Sequence, residues 1–191
     1  KGKFRFPYLP KSMSHHGCYV ASLGQFTRWL GNICEAEDID IFCGFPGSEL
    51  LYENEQVIGV RTGDKGIDKH GNPKPNFDPG VDIHAKVTVL GEGTRGSLTK
   101  ALINRHNLMQ GKNPQVWAIG VKELWQMPEG SVKPGYVAHT MGFPLGHDIF
   151  GGAFIYGMKN DILDLGLVMG LDYKDPSIDP HHELQLFKTH P

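Results

Sequence analysis

Leu23, Phe26, Leu30, Ile33 and Cys34 recur at intervals of one, three and four residues, a spacing that gathers them on one side of a helix. Ser22 stands where an N-cap hydroxyl is wanted, so the pattern predicts a helix over 22–36. Residues 39–42 then read as a short buried strand, and helix followed by strand suits a crossover packed on a sheet. Two β-rich runs, 49–52 and 56–62, bracket Asn54-Glu55 and predict a hairpin with Gly59 marking a bend. The stretch 63–80 holds four glycines and three prolines without periodicity, which predicts a long surface excursion between two strands. From 81 to 90, Val81, Ile83, Ala85, Val87 and Val89 alternate with Asp82, His84, Lys86 and Thr88, the period of a half-buried strand.

Further on, Leu98, Ala101 and Leu102 mark the inner side of a predicted helix over 97–105, with Ser97 as its cap. Four β-rich runs, 116–123, 136–141, 153–158 and 162–169, follow between Pro and Gly clusters. Such close spacing predicts an antiparallel or mixed sheet. Asp179-Pro180 supplies a capping carboxylate and a first-turn proline for a last helix carrying Leu184, Leu186 and Phe187. There is no internal repeat and no low-complexity segment. The succession defines an α/β (α+β) chain.

Composition narrows the function classes. The 191 residues carry a net charge of −2 and a pI of about 6.6, so no basic field is available to hold phosphate backbones, and nucleic acid is not an expected partner. Cys18, Cys34 and Cys43 lie far apart, with no CxxC pair, and read as free thiols in a reducing compartment. No leader-like segment opens the chain, and no apolar run approaches the ~20 residues of a spanning helix. Both ends, at Lys1 and Pro191, read as cut.

Two glycine-containing constellations could carry chemistry. From Val87 to Ser97 a strand runs through Gly91, Gly93 and Gly96 into a helix start, and glycines before unpaired helix N–H groups let a dinucleotide approach closely. The spacing is not GxGxxG, and a tight turn without ligand is an equal reading. The second is Phe143-Pro144-Leu145 followed by Phe150-Gly151-Gly152-Ala153-Phe154. A quinone offers two carbonyl acceptors on an apolar ring, so its site should be greasy with a few N–H donors, and adjacent glycines expose such donors. An aromatic-flanked bend explains the same run. The pairs His15-His16 and His181-His182 are poor metal sites because adjacent side chains diverge. His147-Asp148 lacks a nucleophile motif, and the three tryptophans fit core or interface roles.

Longer runs carry a resemblance. His16-Gly17, Trp29-Leu30-Gly31, His84-Ala85-Lys86-Val87-Thr88, Glu92-Gly93, Arg95-Gly96-Ser97-Leu98, Ile119 to Trp125, His139-Thr140, Pro144-Leu145, Gly151-Gly152 and Gly170 to Lys174 occur in that order. From about residue 14 to 191 the chain resembles the middle of the electron-transfer flavoprotein–ubiquinone oxidoreductases. The resemblance implies a monotopic flavoprotein that takes electrons from electron-transfer flavoprotein, holds FAD and a 4Fe-4S cluster, and reduces ubiquinone in the mitochondrial inner membrane or a bacterial membrane.

It further implies the second half of an FAD-binding domain of the glutathione-reductase/hydroxylase type over 1–112, and a ubiquinone-binding domain over 113–191. Glu92, Gly93 and Arg95 would lie near FAD. Gly151 and Gly152 would hold the quinone, with the Gly152 N–H as donor, and Phe143, Leu145, Phe150 and Phe154 as walls. Phe150, Ala153 and Phe143 replace the family's usual Tyr, Ser and Trp; Cys18, Thr94 and Gly157 replace its Asn, Cys and His. The family's GxGxxG and cluster cysteines are not in this sequence, so the iron–sulfur ligands would lie outside this chain. The alternatives are an FAD-dependent reductase or hydroxylase of the same fold, and a non-catalytic fragment that binds no cofactor.

Overall fold

The computed structural model describes residues 2–9, 11, 14 and 16–190. His15 of the His15-His16 pair and the two terminal residues, Lys1 and Pro191, lie outside them. The described residues form a mixed α+β chain with three helices and antiparallel sheets of four, three and two strands. Two units are compact in themselves: Ile33–Pro114, and a second that combines the segment before it with the one from Gln115 onward.

The predicted first helix forms as α1, Leu23–Ala36. The Ser22 hydroxyl accepts from Gln25 N at 3.4 Å. Its apolar stripe is uncovered: no residue of α1 is buried. Residues 39–42 do not become a strand. Ile39, Ile41 and Phe42 stay exposed, because a strand needs a partner edge as well as apolar side chains, and none pairs with them among the described residues.

In the Ile33–Pro114 unit, β1 (Gly47–Glu53) and β2 (Gln56–Thr62) make the predicted hairpin. Its turn residues Asn54 and Glu55 both have positive φ, 47° and 66°, the backbone of a type I′ connection. The register shifts beside Gly59, where Leu51 pairs with Gly59 but Tyr52 with Val57. That is the predicted bend, seen as a bulge. The 63–80 stretch is less irregular than its composition suggested, because it holds a second hairpin, β3 (Lys65–Ile67) with β4 (Pro73–Asp78). Asp68 organises the turn by accepting from His70 N and Asn72 N at 2.8 and 2.9 Å, an Asx-type substitute for backbone pairing. The predicted strand over 81–90 shrinks to β5, Asp82–His84, on the free side of β2. Val89 is 86% exposed, so alternation continues past the point where pairing stops. Helix α2, Ser97–His106, buries Leu98, while Ala101 stays exposed.

The second unit holds the larger sheet, made of β6 (Ala118–Gln126), β7 (Val137–His139), β8 (Gly151–Gly157) and β9 (Ile162–Gly170) in the order β6-β9-β8-β7. Every pairing is antiparallel. Side chains alternate between faces along each strand. One face sends Val121, Ala153, Ile155, Leu163, Leu165, Leu167 and Met169 into the core, where Leu184 of α3 (Pro180–Lys188) completes it. Leu167, Met169 and Leu184 are each 1% exposed or less, and burying a side chain of this kind is favourable by about 1.5–3 kcal/mol. Asp179 caps α3 through His181 N at 2.9 Å, as predicted.

Glu123 on β6 ties α3 down a second time. It accepts from Lys188 Nζ at 2.7 Å, Gln185 Nε2 at 2.9 Å and Trp125 Nε1 at 2.7 Å. Lys188 foremost, then Trp125 and Gln185, pull the Glu123 carboxyl down to about 2 from an ordinary 4.5.

Candidate functional site

The tandem glycines open strand β8 and do not form a free turn. Gly151 pairs with Met169 and Gly152 with Val168. A Cβ on Gly151 would run into Val168 O and stand 2.7 Å from Leu145 Cδ1 and 3.0 Å from Met169 Cα. One on Gly152 would run into Thr140 O. Both glycines therefore have a packing reason to lack a side chain, because the flanking chains come too close.

Hydrogen-bond direction separates them. Ala153 exchanges both backbone bonds with Thr140, at 2.8 and 3.2 Å, and Gly170 N donates to Phe150 O at 2.7 Å. Alternation along an antiparallel ladder then turns the Gly152 amide toward Val168 and the Gly151 amide toward the β7 side, beyond the Thr140–Ala153 pair. The Gly152 N–H expected as donor is thus turned into the sheet, and of the two the Gly151 N–H is the one aimed away from β9.

The four expected wall residues do not share one face. Leu145 is buried in the core with Ala153. Phe143, joined to Pro144 by a cis bond, lies 5.3 Å from the His190 ring. Phe150 and Phe154 have the parity of Gly152 and lie on the opposite side of the sheet. There Phe154 covers Gly166, where a Cβ would meet its ring. Phe150 is 80% exposed. Two clefts elsewhere, one of about 360 Å³ at Ser48, Leu50, Tyr52, Leu98 and Arg105 and one of about 280 Å³ at Met127, Val132, Tyr136 and Leu163, include none of these residues.

That open face carries polar groups the sequence reading passed over. His139 pairs with Phe154, and Val137 with Tyr156. His139 Nε2 and Tyr156 Oη are 3.1 Å apart, with Tyr156 stacked on Phe154 at 4.8 Å between ring centres. On the far side of Phe154, Lys122 Nζ bonds the largely buried Asp164 at 3.0 Å. Strand parity was the available signal: residues 122, 139, 156 and 164 fall on one face once the register is known.

The predicted dinucleotide turn is organised differently from expectation. Ser97 does not cap α2; Gly96 is the N-cap and Glu92 takes the capping role. Its carboxylate accepts from Leu98 N at 3.2 Å, Thr99 N at 2.7 Å and the Thr99 hydroxyl at 2.7 Å. Those bonds, led by the Thr99 hydroxyl, hold Glu92 below the usual carboxylate range. An anion at this helix start does not fit, because two of the amides that would receive it already serve Glu92. Gly93 has a φ of +76° with open space about it, and Arg95 is exposed. Among the described residues no group of three or more His, Cys, Asp or Glu side chains is placed to hold a metal ion, and no helix is long and apolar enough to cross a membrane.

The β6-β9-β8-β7 sheet and α3 fall within residues 117–191, which match the family described as ETF-QO, ubiquinone-binding. This part of the chain is thus similar to ubiquinone-binding domains. The similarity runs on through the rest of the chain. It is 44% identical over 191 residues to the probable mitochondrial electron transfer flavoprotein-ubiquinone oxidoreductase of Schizosaccharomyces pombe, covering 99% of this chain and 30% of that protein. A probable electron transfer flavoprotein-ubiquinone oxidoreductase of Acinetobacter baylyi is 44% identical over 185 residues, covering 96% and 32%. The mitochondrial enzyme of Homo sapiens is 40% identical over 195 residues, covering 100% and 32%. The chain belongs to the electron transfer flavoprotein–ubiquinone oxidoreductase family and spans about a third of the length of these relatives.

Proposed function

We propose that this chain supplies the quinone-contacting sheet of an oxidoreductase that passes electrons from electron-transfer flavoprotein to ubiquinone. The match of residues 117–191 to a ubiquinone-binding family carries the reading. Gly151 and Gly152 mark the site, with the outward Gly151 amide as the donor to a quinone carbonyl. Phe150 is its exposed apolar contact, and the Phe154 ring its neighbour on the same face. A para-quinone is a flat apolar ring with acceptors at opposite ends, so a bare backbone donor beside an uncovered aromatic suits it.

FAD and a 4Fe-4S cluster supply the upstream electron carriers in this reading. Glu92, Gly93 and Arg95 lie in the flavin domain, with Glu92 acting as a helix cap and not as a phosphate cradle. The three cysteines lack cluster spacing, so the cluster ligands belong to other parts of such an enzyme. Location is the mitochondrion, after the names of the fungal and human relatives, with peripheral contact to the inner membrane from the matrix side.

The test is Phe150→Ser in an enzyme of the relatives' full length carrying this chain. An 80% exposed ring contributes little to folding, so flavin content should stay constant while KM for a short-chain ubiquinone rises. An unchanged KM removes the assignment.

A further inference from the structure

Reducing a quinone to a quinol needs protons as well as electrons, and the glycine site itself offers only backbone amides. Along the β7–β8 pairing, His139 lies opposite Phe154, two residues from Gly152 on the same face. Diagonal neighbours of this kind are about 7–8 Å apart between backbones, within the reach of an imidazole to a ring bonded by the Gly151 amide and lying beside Gly152. The imidazole is oriented: Tyr156 Oη stands 3.1 Å from Nε2, the two rings meet edge to face at 5.7 Å, and Phe154 stacks against Tyr156. His139 is exposed and Tyr156 half-buried, so the imidazole can exchange protons with water. The other titratable groups facing this row from β6 and β9 are Lys122, opposite Gly166, and Asp164 two residues along β9, which engage each other diagonally. Val137 and Met141 flank His139 on its own segment.

We propose that His139, held by Tyr156, is the proton donor to the quinone carbonyl opposite the one bonded by the glycine amide. The inference rests on the quinone reading of Gly151 and Gly152. Imidazole is the side chain that exchanges a proton near neutral pH. In the step, two electrons arrive from a reduced flavin or iron–sulfur donor and both carbonyl oxygens become hydroxyls. One proton leaves the imidazolium for the ring oxygen and leaves a neutral imidazole. Tyr156 Oη accepts from the Nε2–H and holds the ring in place, the exposed imidazole regains its proton at Nδ1 from water, and the second quinol proton comes from water directly.

The experiment uses an enzyme of the relatives' full length carrying this chain, with His139→Gln and Tyr156→Phe, and two acceptors. One is a short-chain ubiquinone, which needs protons; the other is ferricenium, which takes one electron and none. His139→Gln should lower kcat for ubiquinone by about 10²-fold, the low end for loss of a general acid, with ferricenium reduction unchanged. Tyr156→Phe should lose less. The imidazole ¹⁵N resonances of His139 should also shift when the short-chain ubiquinone is added. Equal losses with both acceptors, or no loss with ubiquinone, overturn the proposal. Quinone affinity measured by equilibrium dialysis keeps the two readings apart: His139→Gln that binds quinone normally and reduces it normally ends the proton role alone. Phe150→Ser with undiminished quinone affinity ends the site itself.

Discussion

The two faces of the four-stranded sheet come from the same strands yet obey different rules. The α3 face is closed, with Leu165, Leu167, Met169 and Leu184 forming one apolar cluster. The other face carries Gly120, Gly152 and Gly166, an exposed Phe150 and Leu124, and polar pairs on either side of Phe154. Apolar area removed from water drives folding, so stability is concentrated on the first face. The second retains groups that a self-sufficient domain would cover or replace. Substitutions on the two faces should therefore separate stability from chemistry.

The largest effect is expected on the closed face. Leu184→Ala leaves a cavity at a site 0% exposed, and such truncations cost about 2–5 kcal/mol. The urea midpoint, followed by tryptophan fluorescence, should fall sharply. A midpoint unchanged from the parent would mean that α3 does not close the sheet.

Next comes the seam at the head of β8. Gly152→Ala places a Cβ against Thr140 O, and forced overpacking costs about 1–3 kcal/mol. The Thr140–Ala153 bonds should loosen, seen as faster amide exchange at Ala153. For this reason a glycine substitution is a poor probe of quinone binding alone: it disturbs the β7–β8 seam whether or not a ligand sits there.

Much of this architecture was legible in the sequence where a local rule decides the outcome. Asp179-Pro180 announces a helix start because the carboxylate and the proline act within one turn, and Asn54-Glu55 sits at the hairpin tip. Residues 39–42 and 85–90 misled because period-two apolarity says a strand could pair, not that an edge is there to receive it. The geometry of the candidate site was half legible. Gly151-Gly152 and the shared parity of Phe150 and Phe154 follow from spacing. The placement of Phe143 and Leu145 on the α3 side does not, since both belong to a loop whose path depends on tertiary contacts. Glu92 as a distant cap of α2 was hidden for the same reason: no spacing rule connects it to Leu98 and Thr99 six and seven residues on.

A smaller effect concerns acid. Glu123 is held near 2 in the folded protein against an ordinary 4.5, so the folded state binds fewer protons there than the unfolded chain. Its contribution is fully present above about 4.5 and is lost as pH falls through about 2. Thermal unfolding of Glu123→Gln should therefore lie below the parent near neutrality, with the gap closing between those values. A gap that persists unchanged at the acid end would show that Glu123 works through shape and not charge.

The smallest stability change should come from the residue proposed as the quinone contact. Phe150 is on the open face, its ring mostly in water, and surface substitutions of this kind stay within about 0.5 kcal/mol. Phe150→Ser should leave the urea midpoint where Leu184→Ala moves it far, while ubiquinone KM responds in the opposite order of sensitivity to what stability alone would give. If Phe150→Ser lowers the midpoint as well, the ring packs on something in the folded enzyme, and the open face is a covered interface whose loss, not quinone contact, would account for any kinetic change. The contrast between the faces stands only if one face governs the midpoint and the other the quinone.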